Sequence, residues 1–422
     1  MSGDAHRAVE AIWRIESAKI IAALTRMVRD VGLAEELAQD ALVSALETWP
    51  RGGTPDNPAA WLMATAKNRA LDHFRHGRMH AEKEGELTWE IETALADAQP
   101  DVEAQLDDPV RDDLLRLIFI ACHPLLSPEA RAALTLRLLG GLTTDEIARA
   151  FLVAEPTIAQ RIVRAKKTLS DAKVPFEVPR GGELAERLAS VLEVIYLVFN
   201  EGYSATSGDD WMRPTLCEEA LRLGRILAGL EPDEPEVHGL VALMEIQASR
   251  LAARVGPDGA PILLLDQNRA RWDPLLIQRG LAALDRAEAL GAASGPYTLQ
   301  AAIAACHARA RTAQQTDWGR IVSIYEALGR ISPSPIIELN RAVAASMASG
   351  PEEGLKIVDR IRSEPALASY HLLYSVRGDL LAKLGRHREA RGEFQRAAEL
   401  TRNERERTLL AARAEESARQ AR

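Results

Sequence analysis

The sequence predicts an all-α protein, and three observations carry the prediction. The 422 residues are 47% hydrophobic but only 5% aromatic, with Ala, Leu, Arg and Glu dominant, a composition that favours helices packed on helices. Apolar residues recur three and four positions apart through most segments. Helix punctuation is frequent: capping boxes, Pro in opening turns and Gly after the last apolar residue.

The formal net charge is −9. It argues against a protein coated in nucleic acid, so any DNA contact must come from local basic patches. Only Cys122, Cys217 and Cys306 are present; their wide spacing implies no disulfide framework and suits a reducing compartment. No run of about 18 apolar residues occurs. The expectation is a cytoplasmic protein with no membrane contact.

In chain order, residues 5–49 read as two helices broken at Asp30-Val31-Gly32. Ile12, Ile15, Ile20, Leu24 and Met27 stripe the first, and Leu37, Ala41, Leu42, Ala45 and Leu46 the second. Glu35, Glu36, Gln39 and Asp40 cluster on the opening turns of the second helix. They suit either the helix dipole or a basic partner. Residues 50–58 (PRGGTPDNP) form a loop rich in helix breakers. Pro58 then opens a third helix with Trp61, Leu62, Ala66, Ala70 and Phe74 facing inward and a basic exterior of Lys67, Asn68, Arg69, His73, Arg75 and Arg78. Cations beside aromatic rings suit melted DNA, where bases stack and phosphates need neutralising; a solvated helix with core aromatics reads the same way. Residues 81–108 are charged and linker-like.

The stretch from Leu142 to Leu169 organises the chain. Thr143 and Glu146 make a capping box, and Ile147, Ala148 and Phe151 follow as an apolar stripe. Leu152 to Glu155 make a turn, and Pro156 opens a second helix. That helix buries Ile158, Ile162, Ala165 and Leu169 and turns Gln160, Arg161, Arg164 and Lys167 outward. This is the layout of a helix-turn-helix, whose second helix enters the major groove.

Beyond residue 180 the chain stays helical. Leu184, Leu188, Val191, Ile195, Leu197 and Val198 predict a buried helix that Asn200-Glu201-Gly202-Tyr203 ends, either as a helix cap with Gly202 left-handed or as a latch touching the DNA-binding half or polymerase. Helix pairs follow, 335–348 with 352–362 and 366–384 with 387–401, at a period near that of tetratricopeptide units. Such arrays present a concave face, here a platform for a protein or peptide partner. Between these lie Asp266, Arg269, Trp272, Tyr297 and Trp318, which line either a pocket or inter-repeat packing. Cys122-His123 and Cys306-His307 lack the spacing of a metal site. No phosphate loop, nucleophile elbow or H-E-x-x-H is found. The reading assigns no catalytic residue, no metal and no cofactor.

Three segments in register, AEELAQDALVSALETWP, NPAAWLMATAKNRALDHFR and SPEARAALTLRLLGGLTTDEIARAFLVAEPTIAQRIVRAKKTL, resemble the bacterial sigma-70 family, extracytoplasmic-function type. The last segment, with the preceding IACHPLL and the closing VPFEVP, resembles the subgroup with a long C-terminal tetratricopeptide-like extension thought to act in cis. The resemblance implies core RNA polymerase and promoter DNA as partners. It places polymerase docking on Glu35, Glu36, Gln39 and Asp40. Recognition and melting of the −10 element fall to the loop from Gly52 to Asn57 with Trp61, Lys67, Asn68, Arg69, His73 and Arg75. Reading of the −35 element falls to Thr157, Gln160, Arg161 and Arg164, with phosphate contacts from Lys166 and Lys167. Ala159 stands where many relatives carry a polar or basic residue.

The implied domains are 1–80 (region 2-like), 81–109 (linker), 110–178 (region 4-like), 179–310 (connecting and regulatory) and 311–422 (tetratricopeptide-like). A sigma factor regulated in cis accounts for all of them. The alternatives are an operator-binding regulator with a helical sensor, which leaves residues 34–78 unexplained, an interaction scaffold whose helix-turn-helix has decayed, and, more distantly, a small-molecule-binding enzyme raised only by the landmarks at 263–318.

Overall fold

The computed structural model describes residues 2–80, 107–151, 153–204, 212–257, 260–291 and 295–421. Among them every regular element is an α-helix or a short 3-10 turn, apart from one antiparallel bridge between Val255 and Pro261. The chain divides into two compact units, Met1–Leu197 and Val198–Arg422.

The first unit begins with α1 (Ser2–Val28), α2 (Val31–Gly52) and α3 (Pro58–His80). Asp30 separates α1 from α2 because its carboxylate accepts the Leu33 N–H at 2.8 Å, satisfying a donor that opens α2. Then come α4 (Asp107–Ala121), α5 (Pro128–Leu138), α6 (Thr144–Phe151) and α7 (Glu155–Asp171). Helix α1 is the centre of this unit, packing on α2, α3 and α4. Its Ile20, Ile21, Ala22 and Leu24 are buried, as is Phe119 of α4.

The capping box of α6 forms as read: Thr143 N–H donates to Glu146 Oε2 at 2.8 Å and Glu146 N–H to Thr143 Oγ1 at 3.1 Å. Each bond satisfies a donor that the first turn leaves free. A Thr143→Ala substitution is expected to cost about 1 kcal/mol locally. Amide hydrogen exchange at Glu146 and Ile147 would then quicken about fivefold. Unchanged exchange would show that tertiary packing alone holds α6.

Three expectations need correction. Residues 50–52 continue α2 instead of opening the loop. In the last turn the missing Pro50 N–H forfeits a single bond, and Gly53 N–H closes the helix on Trp49 O at 3.0 Å. Trp61 and Phe74 are half-exposed, whereas Leu62, Ala66 and Ala70 carry the buried face of α3. Gly202 is no left-handed cap: it lies within α8 (Gly182–Tyr203). A Cβ there would meet Cys217 N at 2.7 Å and Arg213 O at 2.9 Å, so close backbone approach selects glycine. The linker expected at 81–108 falls mostly outside the described residues, as does Leu152.

Helix α8 crosses the division between the units. The second unit continues with α9 (Pro214–Leu230), α10 (Pro235–Ala248), α11 (Pro274–Ala289), α12 (Pro296–Arg309), α13 (Trp318–Ile331), α14 (Pro335–Ser349), α15 (Pro351–Ile361), α16 (His371–Lys383), α17 (His387–Leu400) and α18 (Glu404–Gln420). The pairs α14/α15 and α16/α17 match the hairpins expected from the sequence. Leu339, Val358, Leu380, Leu381, Phe394 and Leu410 knit α14 to α18 into one core.

Candidate nucleic-acid interface

Helix α7 presents its sequence-predicted faces cleanly. Ile158, Ile162, Ala165 and Leu169 are buried, while Thr157, Gln160, Arg164 and Lys167 are exposed and Arg161 is half-buried. Thr157, Gln160, Arg161 and Arg164 line one groove with Leu125, Ser127 and Ala130 at the start of α5. Ser127 caps α5 and also donates to Glu129; the backbone N–H of Glu129 first, then the Ser127 hydroxyl, hold the Glu129 carboxyl below its ordinary pKa, with a smaller contribution from Arg161. The groove therefore carries amide and guanidinium donors on a rigid helix. Gln can pair with adenine and Arg with guanine in the major groove.

The α2–α3 corner gathers the other predicted DNA residues. Gly52, Asn57, Asn68, Arg69, His73 and Arg75 are exposed and Lys67 is half-buried. The Asn57 carboxamide caps α3 by accepting the Ala60 N–H at 3.0 Å. Trp61 stands edge-on to buried Trp49, with ring centroids 5.5 Å apart, so a large ring is held in place yet open to solvent. Arg69 reaches Ser44 Oγ at 3.2 Å and Arg75 reaches Asp72 at 3.4 Å.

The acidic cluster on α2 is split. Glu36 and Asp40 are exposed and Gln39 is half-buried, but Glu35 is only 3% exposed. Its carboxylate accepts from Arg137 Nε of α5 at 2.6 Å and ion-pairs with Lys166 of α7. Nearby, Ser170 Oγ donates to Asp30 at 2.8 Å and Arg26 lies 3.4 Å from Asp113. Asp113 is 2% exposed, and that burial raises its pKa against the pull of Arg26 and Arg116. Two predicted contact residues, Glu35 and Lys166, thus pair with each other. Gln39 on the next turn also donates to Glu35, but sequence spacing held no signal for the ion pairs, since Arg137 and Lys166 lie more than a hundred residues away.

Helix α8 is bonded into the same unit. Arg187 donates to Phe119 O at 2.8 Å, Ser190 Oγ donates to Cys122 O at 2.6 Å, and Arg131 hydrogen-bonds Ser190 and pairs with Glu193 at 3.0 Å. Burial and the Arg187 charge push His123 down to about 4. No described helix is long and apolar enough to cross a membrane.

Comparison with known proteins accounts for each of these segments. The family described as sigma-70 region 2 matches residues 14–79 and sigma-70 region 4 matches residues 116–169. A family of unknown function (DUF6596) matches residues 187–288, opening on the helix that Arg187 bonds to α4. An uncharacterised protein of Rhizobium meliloti is 45% identical over 382 residues, covering 90% of this chain and 89% of that protein. A probable ECF RNA polymerase sigma factor, SigI, of Mycobacterium tuberculosis is 27% identical over 175 residues, 41% of this chain and 58% of that one. The RNA polymerase sigma-H factor of Pseudomonas aeruginosa is 28% identical over 163 residues, 37% of this chain and 82% of that one. With both sigma regions in order and a helical extension behind them, the chain belongs to the sigma-70 family, as an extracytoplasmic-function sigma factor.

Proposed function

We propose that the chain directs core RNA polymerase to a promoter by dividing the work between its two sigma regions. Glu36, Gln39 and Asp40, with Glu35 once released, dock on a basic polymerase surface. Gly52 to Asn57, Trp61, Lys67, Asn68, Arg69, His73 and Arg75 engage and open the −10 region. Thr157, Gln160, Arg161 and Arg164 read the −35 region, Lys166 and Lys167 contacting its phosphates. The observation that carries this reading is the α7 groove, where four exposed or half-exposed donors share one face. Each region offers few contacts, so tight binding needs polymerase to hold both at fixed spacing, and that is how an acidic chain works on DNA. The polymerase supplies the chemistry, which places the protein in the cytoplasm.

The burial of Glu35 supports a second part of the reading: free protein rests in a closed form that must open before polymerase docks. Helix α8 supports a third, that the extension regulates in cis through Arg187, Ser190 and their partners on α4 and α5.

In vitro transcription with core polymerase on randomised templates tests the reading. The full chain is expected to give promoter-specific transcripts, and Arg161→Glu with Arg164→Glu to reduce them by at least about a hundredfold, since two base contacts are each worth about 1–3 kcal/mol. Transcripts that survive charge reversal would remove the helix-turn-helix from the mechanism. Tight operator binding without polymerase would favour the classical regulator instead.

A further inference from the structure

In the second unit, several helix ends bring cations and aromatic rings together. Tyr203 ends α8, Arg250 and Arg254 flank the 3-10 turn after α10, Arg269 and Trp272 bracket a second 3-10 turn, His307 closes α12 and Trp318 opens α13. Arg254 covers the Tyr203 ring at 3.6 Å, and Arg269 covers Trp272 at 4.7 Å. Arg250 lies between the two rings, 5.8 Å from Tyr203 and 5.7 Å from Trp272. His307 meets Trp318 edge-on at 5.1 Å.

Their hydrogen bonds are unequal. Arg269 is tied down, donating to His307 O, to Ala310 O at 2.6 Å and to Thr316 Oγ1 at 3.2 Å. Arg250 is 6% exposed and, among the described residues, hydrogen-bonds only Gln247. Among the described residues neither Arg250 nor Arg269 pairs with a carboxylate. Three buried nitrogens in this cluster, Arg250 Nε, Trp272 Nε1 and His307 Nδ1, have no partner among the described residues. The Trp272 and His307 residues that carry two of them are 5% and 7% exposed.

Buried polar atoms in native proteins almost always find partners, and a buried unpaired charge is among the costliest arrangements a fold can hold. The guanidinium and indole nitrogens are N–H donors, and the imidazole nitrogen is one in the matching tautomer. The missing partner must therefore be an acceptor, and the surrounding positive charge favours an anion over a neutral one. The Tyr203 and Trp272 rings are already covered by guanidinium groups, so neither offers a free face for a nucleobase. Burial of the cluster also keeps it from the phosphates of a duplex.

We propose that Arg250, Arg254 and Arg269, with Trp272 and His307, form a binding site for a small oxyanion: phosphate, or the head of a phosphomonoester. Burial and the facing cations act in the same direction, lowering the pKa of Arg250 and of Arg269 and pushing His307 down to about 4. A neutral imidazole is free to turn an N–H toward an oxyanion. The competing account is a purely structural box, in which the cations serve only rings and helix ends.

Calorimetric titration of the full chain separates the two. Inorganic phosphate and glycerol 3-phosphate are titrated in parallel, against sodium chloride at equal ionic strength. The expected result is saturable binding near one anion per chain in at least one phosphate arm, and the tighter arm names the free ion or the ester. Arg250→Met should weaken it by at least about tenfold, and Trp272→Phe, which keeps a ring but removes Nε1, by about three- to tenfold. If Arg250→Met fails to fold, Trp272→Phe carries the comparison. Heats no different from chloride would overturn the proposal, as would saturable binding left unchanged by the substitutions.

Discussion

Replacing Arg137 by Met is expected to tighten association with core polymerase by about tenfold. Glu35 is buried in an ion-paired contact between α2 and the α5–α7 face, with Arg137 Nε at 2.6 Å and Lys166 on its other side. Losing one partner of a buried ion pair costs about 3–5 kcal/mol when the remaining charge is left bare. Lys166 still faces Glu35, so a smaller loss of about 1–2 kcal/mol is appropriate, which corresponds to roughly tenfold in the open fraction. Polymerase affinity scales with that fraction. Arg137→Lys keeps a cation and should behave close to the parent. Donor and acceptor dyes on Arg51→Cys and Asp171→Cys report opening directly, because the native cysteines are all buried. Arg137 also donates to Leu142 O at 3.1 Å, so the helical melt of the variant must be compared. Unchanged dye transfer and unchanged affinity would mean that the closed contact does not limit docking.

The second large effect concerns acid. His307 has a folded pKa of about 4, through burial first and then the Arg250 and Arg269 charges; an unfolded histidine titrates near 6.5. Between those values the unfolded chain binds the extra proton, so stability rises with pH and is lost as pH falls from about 6.5 toward 4. The span corresponds to about 3 kcal/mol. His307→Phe keeps an aromatic edge against Trp318 and removes the titrating group. Between pH 7 and pH 4.5 denaturant melts of the parent should lose this stability while those of the variant do not, so the difference between them shifts toward the variant as pH falls. Parallel pH profiles would show that the imidazole is not held neutral by the fold. The shift also ties to the arginine cluster, since a bound anion would raise the His307 pKa and flatten the same profile.

The helix-turn-helix was legible because its information is local. A capping box needs residues three apart, and a buried stripe needs a 3.6-residue period, so Thr143, Glu146 and the Ile158–Leu169 face could be read directly. The same logic found the helix pairs after residue 335. It failed where a side chain's fate depends on distant residues. Glu35 has the spacing of an exposed acidic residue on an opening turn, and only the fold brings Arg137 and Lys166 to it. Trp61 reads as core from its apolarity, but Trp49 occupies the inner position and leaves it half-exposed. In the second unit, Arg269, Trp272 and Trp318 stood out as landmarks in an otherwise aromatic-poor chain. Arg250 and Arg254 did not, because arginine beside a helix end is ordinary in sequence. Of the other landmarks, Asp266 is exposed, and the Tyr297 N–H donates to Glu236 at 2.7 Å.

Helix α8 runs unbroken from Gly182 to Tyr203 across the division between the two units. Its first turns carry Arg187 and Ser190, bonded to α4 and the residue after it, while Phe199 and Tyr203 stack at its far end with centroids 5.7 Å apart. Neither half of the chain can therefore be exchanged cleanly with a relative by joining at the structural boundary. A graft made there cuts a helix in mid-span, and one made at residue 178 takes Arg187 and Ser190 with the extension. For gene fusion, and for recombination over evolutionary time, the two parts are inherited with a shared piece. Chimaeras that keep residues 182–203 from a single parent, matched to that parent's α4, should outlast those that divide them.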